Sequence, residues 1–396
     1  MSAAVKLADV AELVMGQSPP STSYNDLGDG LPFYQGKTDF GATYPTPRIY
    51  CREPKKLAKS GDILMSVRAP VGATNLCDSQ SCIGRGIAAI RANGIDRDFL
   101  YFHLKEIETY IDSLGSGAIF KAINKSQLAD LPINEAGIPL PEQTKIGHIL
   151  STVQRAIEAQ ERNIQTTTEL KKALMHKLFT EGLRNEPQKH TEIGPVPESW
   201  AVVEIGDLGK CVTGSTPKTK VASFYNPPSE DFIAPADLGA RRYVYDSEKK
   251  ISPEGLATIR PISKNAVMCV CIGSSIGKVG MSYREGSATN QQINSIICKK
   301  DRDPEFVYYL LSYRWEYWKR YATFGPVPIL SKGRFTSIPV AIPSSIEEQR
   351  AIAKPLVALE AKIEVAEKKV AALQDLFRTL LHELMTAKTR VHELTL

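Results

Sequence analysis

Two short runs carry the residue types of known chemical motifs, and each lacks the group that would do the chemistry. Tyr225-Asn-Pro-Pro-Ser229 has the Asn-Pro-Pro core that holds a flipped base against an aromatic ring, but Ser229 cannot stack. No glycine-rich strand-to-helix turn suited to S-adenosylmethionine accompanies it, and a Pro-rich surface turn is the plainer reading. Gly273-Ser-Ser-Ile-Gly-Lys278-Val279 has the outline of a phosphate loop. Three residues rather than four separate its glycines, and Val279 replaces the Ser or Thr that would hold magnesium, which removes it as a nucleotide site. Six histidines (103, 148, 176, 190, 382, 392) are scattered without metal spacing or a Ser/Asp framework. Seven cysteines (51, 77, 82, 211, 269, 271, 298) form no Cys-x-x-Cys pair, so neither a disulfide framework nor a zinc site is indicated. These runs favour binding over catalysis as the task of this chain.

The residues that bind must be positioned by a body of some size. At 396 residues the chain exceeds what one core usually supports, so two or more domains are expected. With 42% hydrophobic and 23% charged residues, most of it should fold. The net charge is +5, yet residues 1–140 hold 14 basic against 15 acidic side chains and 191–346 hold 19 against 15. A strongly basic nucleic-acid binder would show more, so charge alone does not establish that function. The start, Met1-Ser-Ala-Ala-Val-Lys-Leu-Ala-Asp9, lacks a basic stretch followed by an apolar run, and no 18-residue apolar segment occurs. A soluble, cytoplasmic protein with no membrane partner is the expectation.

The chain repeats itself with a period of about half its length. Lys6–Pro19 aligns with Glu204–Pro217 at a shift of 198, so that Asp9, Val14, Gly16 and Pro19 recur as Asp207, Val212, Gly214 and Pro217. Ile63–Val67 and Met268–Ile272 read as short strands, followed by the loops Arg68–Gly72 and Gly273–Gly277. Phe99–Leu104 and Phe306–Leu311 read as helices, and Leu131-Pro-Ile133 pairs with Ile338-Pro-Val340 at a shift of 207.

After each copy comes a long amphipathic helix. Ile146, Leu150, Val153, Ile157, Gln160, Ile164, Thr167, Lys171, Leu174 and Leu178 are spaced alternately by four and three, and 206 residues later stand Ile352, Leu356, Leu359, Ile363, Ala366, Val370, Leu373, Phe377, Leu380 and Leu384. This is a heptad seam of more than four repeats, with Glu, Lys and Arg outward, and it predicts a coiled coil between the two helices. Two amphipathic helices, each packed on its own domain, are the alternative. Pro355 stands early in the second helix. Roughly 38 residues of helix span about 57 Å. The short linker 183–200, with Pro187, Gly194, Pro195 and Pro197, favours antiparallel pairing and a pseudo-twofold relation between two similar domains. Gln160, Thr167 and Lys171 soften the first seam, and either fix register or leave an opening for a partner.

These motifs, in this order and duplicated, resemble the specificity subunits of type I restriction-modification systems over essentially the whole chain. The resemblance rests on Ile138-Pro-Leu-Pro-Glu-Gln143 and Ile342-Pro with Glu348-Gln349, which open the helices. Leu170-Lys-Lys-Ala-Leu-Met-His-Lys-Leu-Phe-Thr-Glu-Gly182 closes the first helix, and Ile193-Gly-Pro-Val-Pro-Glu-Ser-Trp200 enters the second domain. One departure is His382–Lys388, which lacks the glycine found at 182 and leaves the end of that helix open. The resemblance implies an α+β fold in which two similar α/β target recognition domains, 1–140 and 201–346, are separated by a two-helix antiparallel coiled coil (141–182 and 347–387), with a tail at 388–396. It implies a non-catalytic subunit of a complex that methylates DNA adenine and, with ATP, cleaves DNA. The partners implied are double-stranded DNA, two adenine-N6 methyltransferase subunits and, in some systems, nuclease-translocase subunits. No cofactor is expected on this chain: S-adenosylmethionine belongs to the methyltransferase, ATP and magnesium to the nuclease.

Bases are read by Arg at guanine and by Asn or Gln at adenine, while Lys, Ser and backbone amides hold phosphates. In the first domain Lys37, Arg68, Arg85, Lys121, Asn124 and Lys125 are the candidates. In the second they are Lys218, Lys220, Arg241, Arg242, Ser274, Ser275, Lys278, Asn290, Gln291, Gln292, Lys332 and Arg334. Asn290-Gln291-Gln292 either reaches adenine edges, in which case changing Gln292 weakens specificity at one base pair, or forms a turn whose amides cap the backbone. Arg68 and Arg85 either read bases or sit in ion pairs, and any single Lys has a solvated surface position as its alternative. Two rival functions remain at this level: a coiled-coil scaffold that touches no DNA, and a self-sufficient DNA methyltransferase built around the Asn-Pro-Pro run.

Overall fold

The computed structural model describes residues 5–115, 121–133, 138–323 and 325–391. The first four residues, His392 and the rest of the tail beyond it lie outside the described residues. The chain divides into two compact units, Met1–Asn163 with Ala366–Leu396, and Ile164–Val365. Each unit joins one β-rich part to one half of each long helix.

In the first unit the apolar run Ile63–Ser66 is buried on both faces, as a central strand must be. It lies in an antiparallel sheet of order Ala11–Met15, Ile87–Ala92, Ile63–Ser66, Thr74–Leu76, with Ile90 opposite Leu13 on one side and Ile63 on the other. A second sheet runs Tyr24–Asn25, Tyr50–Cys51, Leu31–Tyr34, Ser81–Ile83, Leu57–Ala58, and pairs Phe33 with Cys82 in parallel. The second unit has the same plan. Gly209–Thr213, Ile293–Cys298, Val267–Val270 and Val279–Ser282 follow in the same order, with Tyr243–Val244 added at the edge. Its other sheet pairs Phe232 with Ala288, again in parallel. The internal repeat is therefore a repeat of hydrogen-bonding pattern, not only of residue type.

Helices Arg97–Glu106 and Pro304–Tyr313 begin on Asp96 and Asp303, whose carboxylates accept from the first-turn amides Phe99 N at 3.0 Å and Phe306 N at 2.9 Å. Each of these aspartates donates its own N–H to a buried glutamine, Asp96 to Gln143 Oε1 at 3.1 Å and Asp303 to Gln349 Oε1 at 2.8 Å. The same glutamines donate to Ile138 O and Pro343 O. The glutamines of the helix-opening motifs thus clamp each long helix to the N-cap of its domain helix and satisfy backbone groups there.

The long helices are Leu140–Glu181 and Ile346–Met385. All twenty seam positions are buried or half-buried. In the first unit Ile146 and Leu150 share a core with Leu381, Leu384 and Met385, and in the second Leu178 shares one with Ile352 and Leu356. Rising numbers on one helix meet falling numbers on the other, so within each unit the helices run antiparallel. Pro355 lies inside the second helix without ending it. The first helix stops at Gly182, with φ +67°, and the second reaches the same left-handed exit through Ala387, with φ +53°. The missing glycine is replaced by a strained alanine, held by Lys388 N donating to Glu383 O at 3.0 Å. Residues 183–200 form more than a connector: Gln188–Thr191 pairs with Gly194–Pro197, and Ile193, Val196 and Trp200 are buried in the core of the second unit. Those apolar side chains are what fold the segment down.

His103, 3% exposed, stands in the first unit where Leu310 stands in the second. Its Nε2 donates to Pro132 O at 3.1 Å, and its Nδ1 has no partner. Burial holds its pKa below the ordinary imidazole value. A depressed folded-state value means that the unfolded chain binds the proton more readily, so this contribution to stability is complete above the ordinary value of about 6.5 and is lost as pH falls through the folded one. His103→Leu is expected to move the acid-unfolding midpoint of the first unit to lower pH, as followed by hydrogen exchange. An unmoved midpoint would assign the acid sensitivity elsewhere.

Candidate nucleic-acid interface

In the second unit, register places Thr213, Val270, Val279 and Ile293 at one end of the main sheet. The loops leaving that end carry Lys218 and Lys220, Ser274, Ser275 and Lys278, and Asn290, Gln291 and Gln292. They are tied to one another. Gly214 N donates to Ile293 O, Ser215 N to Thr289 O and Thr216 Oγ1 to Gln291 Oε1 at 2.6 Å. Gly273 N donates to Pro328 O, and Leu330 N to Cys271 O. Gly214 is required by space: a Cβ there would stand 2.1 Å from Asn290 O and 2.3 Å from Thr289 O.

The geometry divides the amide run. Asn290 Nδ2 donates to Gln292 Oε1 and Asn290 Oδ1 accepts from Gln292 N, both at 3.0 Å, while Gln292 Nε2 turns to Ile272 O. Asn290 and Gln292 are half-buried and Gln291 is exposed. Asn290 and Gln292 brace the turn, and Gln291, whose Oε1 accepts from Thr216, is the exposed one of the three. Lys332 and Arg334 are exposed on the short helix Lys332–Thr336, which is capped by Ser331.

The first unit builds the same rim. Gly16 N donates to Ile87 O, Gln17 N to Ile83 O, and Arg85 N to Ser18 Oγ at 3.3 Å. Arg85 thus takes the place of Gln291, and Ser18 that of Thr216. Arg68 is held by Ala69 N donating to Lys121 O and by its bridge to Ala122. Neither Arg68 nor Arg85 is in an ion pair with a described residue, and both are exposed. Asn124 spends its oxygen as a helix cap, accepting from Gln127 N at 2.9 Å, and leaves Lys125 exposed beside it. Lys121 is paired with Asp112 at 2.6 Å and Lys37 with Glu108 at 4.0 Å.

Arg241 and Arg242 are not brought to the rim. Arg241 lies 3.8 Å from Glu364 on the second long helix. The Arg242 guanidinium, 15% exposed, lies 3.5 Å from Glu305 and 3.7 Å from Glu360, and donates to Tyr309 Oη at 3.2 Å. Glu360 also accepts from Lys171 at 2.6 Å and from Tyr309 Oη at 2.7 Å. Burial pushes the Tyr309 hydroxyl far up, so it stays a neutral donor, and burial also raises the Glu305 carboxyl. Lys171, one of the three polar residues in the first seam, is thereby accounted for within this unit.

Sequence reasoning missed Trp315 and Lys319, which border the rim of the second unit on the helix Trp315–Lys319. Their spacing of four puts both on one face, and that was the available signal. Among the described residues no group of three His, Cys, Asp or Glu could hold a metal ion, and no helix is long and apolar enough to cross a membrane. Burial raises the Cys77 thiol to about 11 and the Cys271 thiol to about 12, so neither is a ready thiolate.

The sequence profile of the type I restriction modification DNA specificity domain matches residues 2–167 and again 197–375. The MjaX type I restriction enzyme specificity subunit of Methanocaldococcus jannaschii is 42% identical over 175 residues, which are 44% of this chain and 41% of that protein. The match therefore spans less than half of that relative. The MjaVIII specificity subunit of the same organism is 26% identical over 320 residues, 76% of this chain and 72% of its own length. The crystal structure of the type I restriction-modification S subunit from M. genitalium superimposes with a TM-score of 0.67 at 18% identity, over 96% of this chain and 95% of that one. Two matches to that one profile, over residues 2–167 and 197–375, carry the conclusion: the chain belongs to the family of type I restriction-modification specificity subunits.

Proposed function

We propose that this chain reads a two-part DNA target, one half-site on each rim, and docks two adenine-N6 methyltransferase subunits without being catalytic itself. The observation that carries the reading is the duplicated rim, with Arg85 and Gln291 exposed on matching turns. A guanidinium suits a guanine edge and an amide an adenine edge. Lys125, Lys218, Lys220 and Lys332, which are exposed around them, suit phosphates. Helices of 42 and 40 residues, each about 60 Å long, suit the task of holding two readers at a fixed distance and phase along a duplex. S-adenosylmethionine would be bound by the methyltransferase partner, and ATP with magnesium by any nuclease-translocase subunit that joins. Cytoplasmic DNA is the substrate this reading requires.

The test is to co-express the chain with its methyltransferase and map modified adenines by sequencing. Two adenine-containing half-sites at fixed spacing are expected. No methylation, together with no salt-sensitive DNA binding by the assembled complex, would leave a scaffold. Methyl transfer by the purified chain alone would make it an enzyme.

A further inference from the structure

Beside the rim of the second unit lies a cleft of about 460 Å³, walled by the loop Gly273–Lys278 and by the helix Trp315–Lys319. The loop rests directly on the indole. A Cβ on Gly277, whose φ is +107°, would stand 2.4 Å from Trp315 Cε3, so only glycine allows the approach. Trp315 is 37% exposed, and Lys319 lies over its ring at 5.4 Å. Lys278 enters from the loop and donates to Pro235 O at 3.3 Å. Ser274, Ser275 and Ser312 add hydroxyls to the lining, and no carboxylate is part of it. The N–H groups of Ser274 and Ser275 donate to no backbone carbonyl among the described residues.

Two ammonium groups, three hydroxyls and an aromatic face with no acid in the lining make a receptor for an oxyanion that arrives attached to something flat or apolar. Lys278 and Lys319 flank the lining from opposite walls, which suits one phosphodiester or two neighbouring ones. The loop fails as a nucleotide site for the reasons its sequence shows, and it continues into strand Val279–Ser282 rather than into a helix.

Among the described residues, the corresponding place in the first unit carries acids instead. At the shift of 207 that relates the helices, Trp315 and Lys319 correspond to Glu108 and Asp112. Those two acids pair with Lys37 and Lys121, the lysines that would otherwise meet phosphate. The asymmetry agrees with the charge count of the two halves.

Resting on the reading of the rims as DNA-binding surfaces, we propose that this cleft is a backbone-phosphate anchor for duplex DNA, so that the second unit supplies more of the electrostatic attachment than the first. The test is the double variant Lys278→Gln, Lys319→Gln, made in the full chain assembled with its methyltransferase subunits. The dissociation constant is measured against salt concentration on a duplex bearing the mapped target and on a scrambled one. Each phosphate contact contributes about 0.9 to the salt slope, so the slope should become shallower by roughly 1 to 2. Affinity at low salt should fall roughly tenfold on both duplexes, which is about 1.4 kcal/mol, while the methylated motif stays the same. Inorganic phosphate at millimolar concentration should not displace the duplex from the unaltered protein. Unaltered protein that binds DNA with the usual salt dependence, beside a variant whose slope is unchanged, overturns the anchor alone. A changed motif would overturn it in favour of base reading. Unaltered protein that binds no DNA overturns the rim reading and the anchor with it.

Discussion

Replacing Glu360 by alanine is expected to destabilise the second unit by about 3 kcal/mol. Glu360 is the shared acceptor of a partly buried cluster: Lys171 at 2.6 Å, Tyr309 Oη at 2.7 Å and Arg242 at 3.7 Å all converge on it. Its side chain is 17% exposed, with Lys171 at 22% and Arg242 at 15%. Removing the anion leaves two desolvated cations and a phenol without an acceptor, and such orphans cost more than the intact pair ever contributes. Glu305 at 3.5 Å gives Arg242 partial relief, which keeps the figure near the low end. The first unit shows the apolar solution to the same packing problem. There Phe102 and Phe377 take the places of Tyr309 and Lys171, their ring centroids 5.8 Å apart. The measurement is simple, because Trp200, Trp315 and Trp318 all belong to the second unit and their fluorescence reports its unfolding. A loss below about 1 kcal/mol would mean that the cluster is solvated in practice and behaves as surface ion pairs do.

That cluster also marks the boundary of what the sequence could reveal. The seam from Ile146 to Leu178, its repetition at Ile352 to Leu384 and the paired strands around Ile63 and Val267 were legible because periodicity and duplication are local or self-referential signals. The position of Arg242 was not, since nothing near it in sequence says that a carboxylate on a distant helix will take it away from the rim. The same holds for Lys37 and Lys121, which are engaged by Glu108 and Asp112. Asn290-Gln-Gln292 could be seen as a run but not divided into two bracing amides and one that is exposed, because the division depends on where Ile272 O ends up. The Glu-Gln motifs were visible as motifs, yet their task at Asp96 and Asp303 is a contact across the fold. Residues 183–200 looked like a connector because Pro and Gly dominate the eye, although Ile193, Val196 and Trp200 carried the signal for burial.

Gly214→Ala should relax one half of the DNA target and leave the other intact. The glycine ends a strand at the rim, and the space for a side chain there is filled by Thr289 O and Asn290 O, at 2.3 and 2.1 Å from where a Cβ would stand. Both are backbone atoms, so no rotamer change can yield room. The turn that carries Gln291 must move instead. Overpacking of this kind costs about 1–3 kcal/mol, and a displaced amide forfeits the discrimination of a bidentate base contact, which is also about 1–3 kcal/mol. Methylation at sites matched in that half should fall roughly tenfold or more relative to mismatched ones, which corresponds to 1.4 kcal/mol or above. Gly16→Ala is the internal control, because its Cβ would stand 2.1 Å from Gly84 O, in the turn that carries Arg85. It should relax the other half-site. Mapping modified adenines for both variants gives two opposite patterns if each rim reads its own half. Loss of both half-sites in either variant would show that the glycine serves global folding, and an unchanged motif in both would remove these turns from the interface.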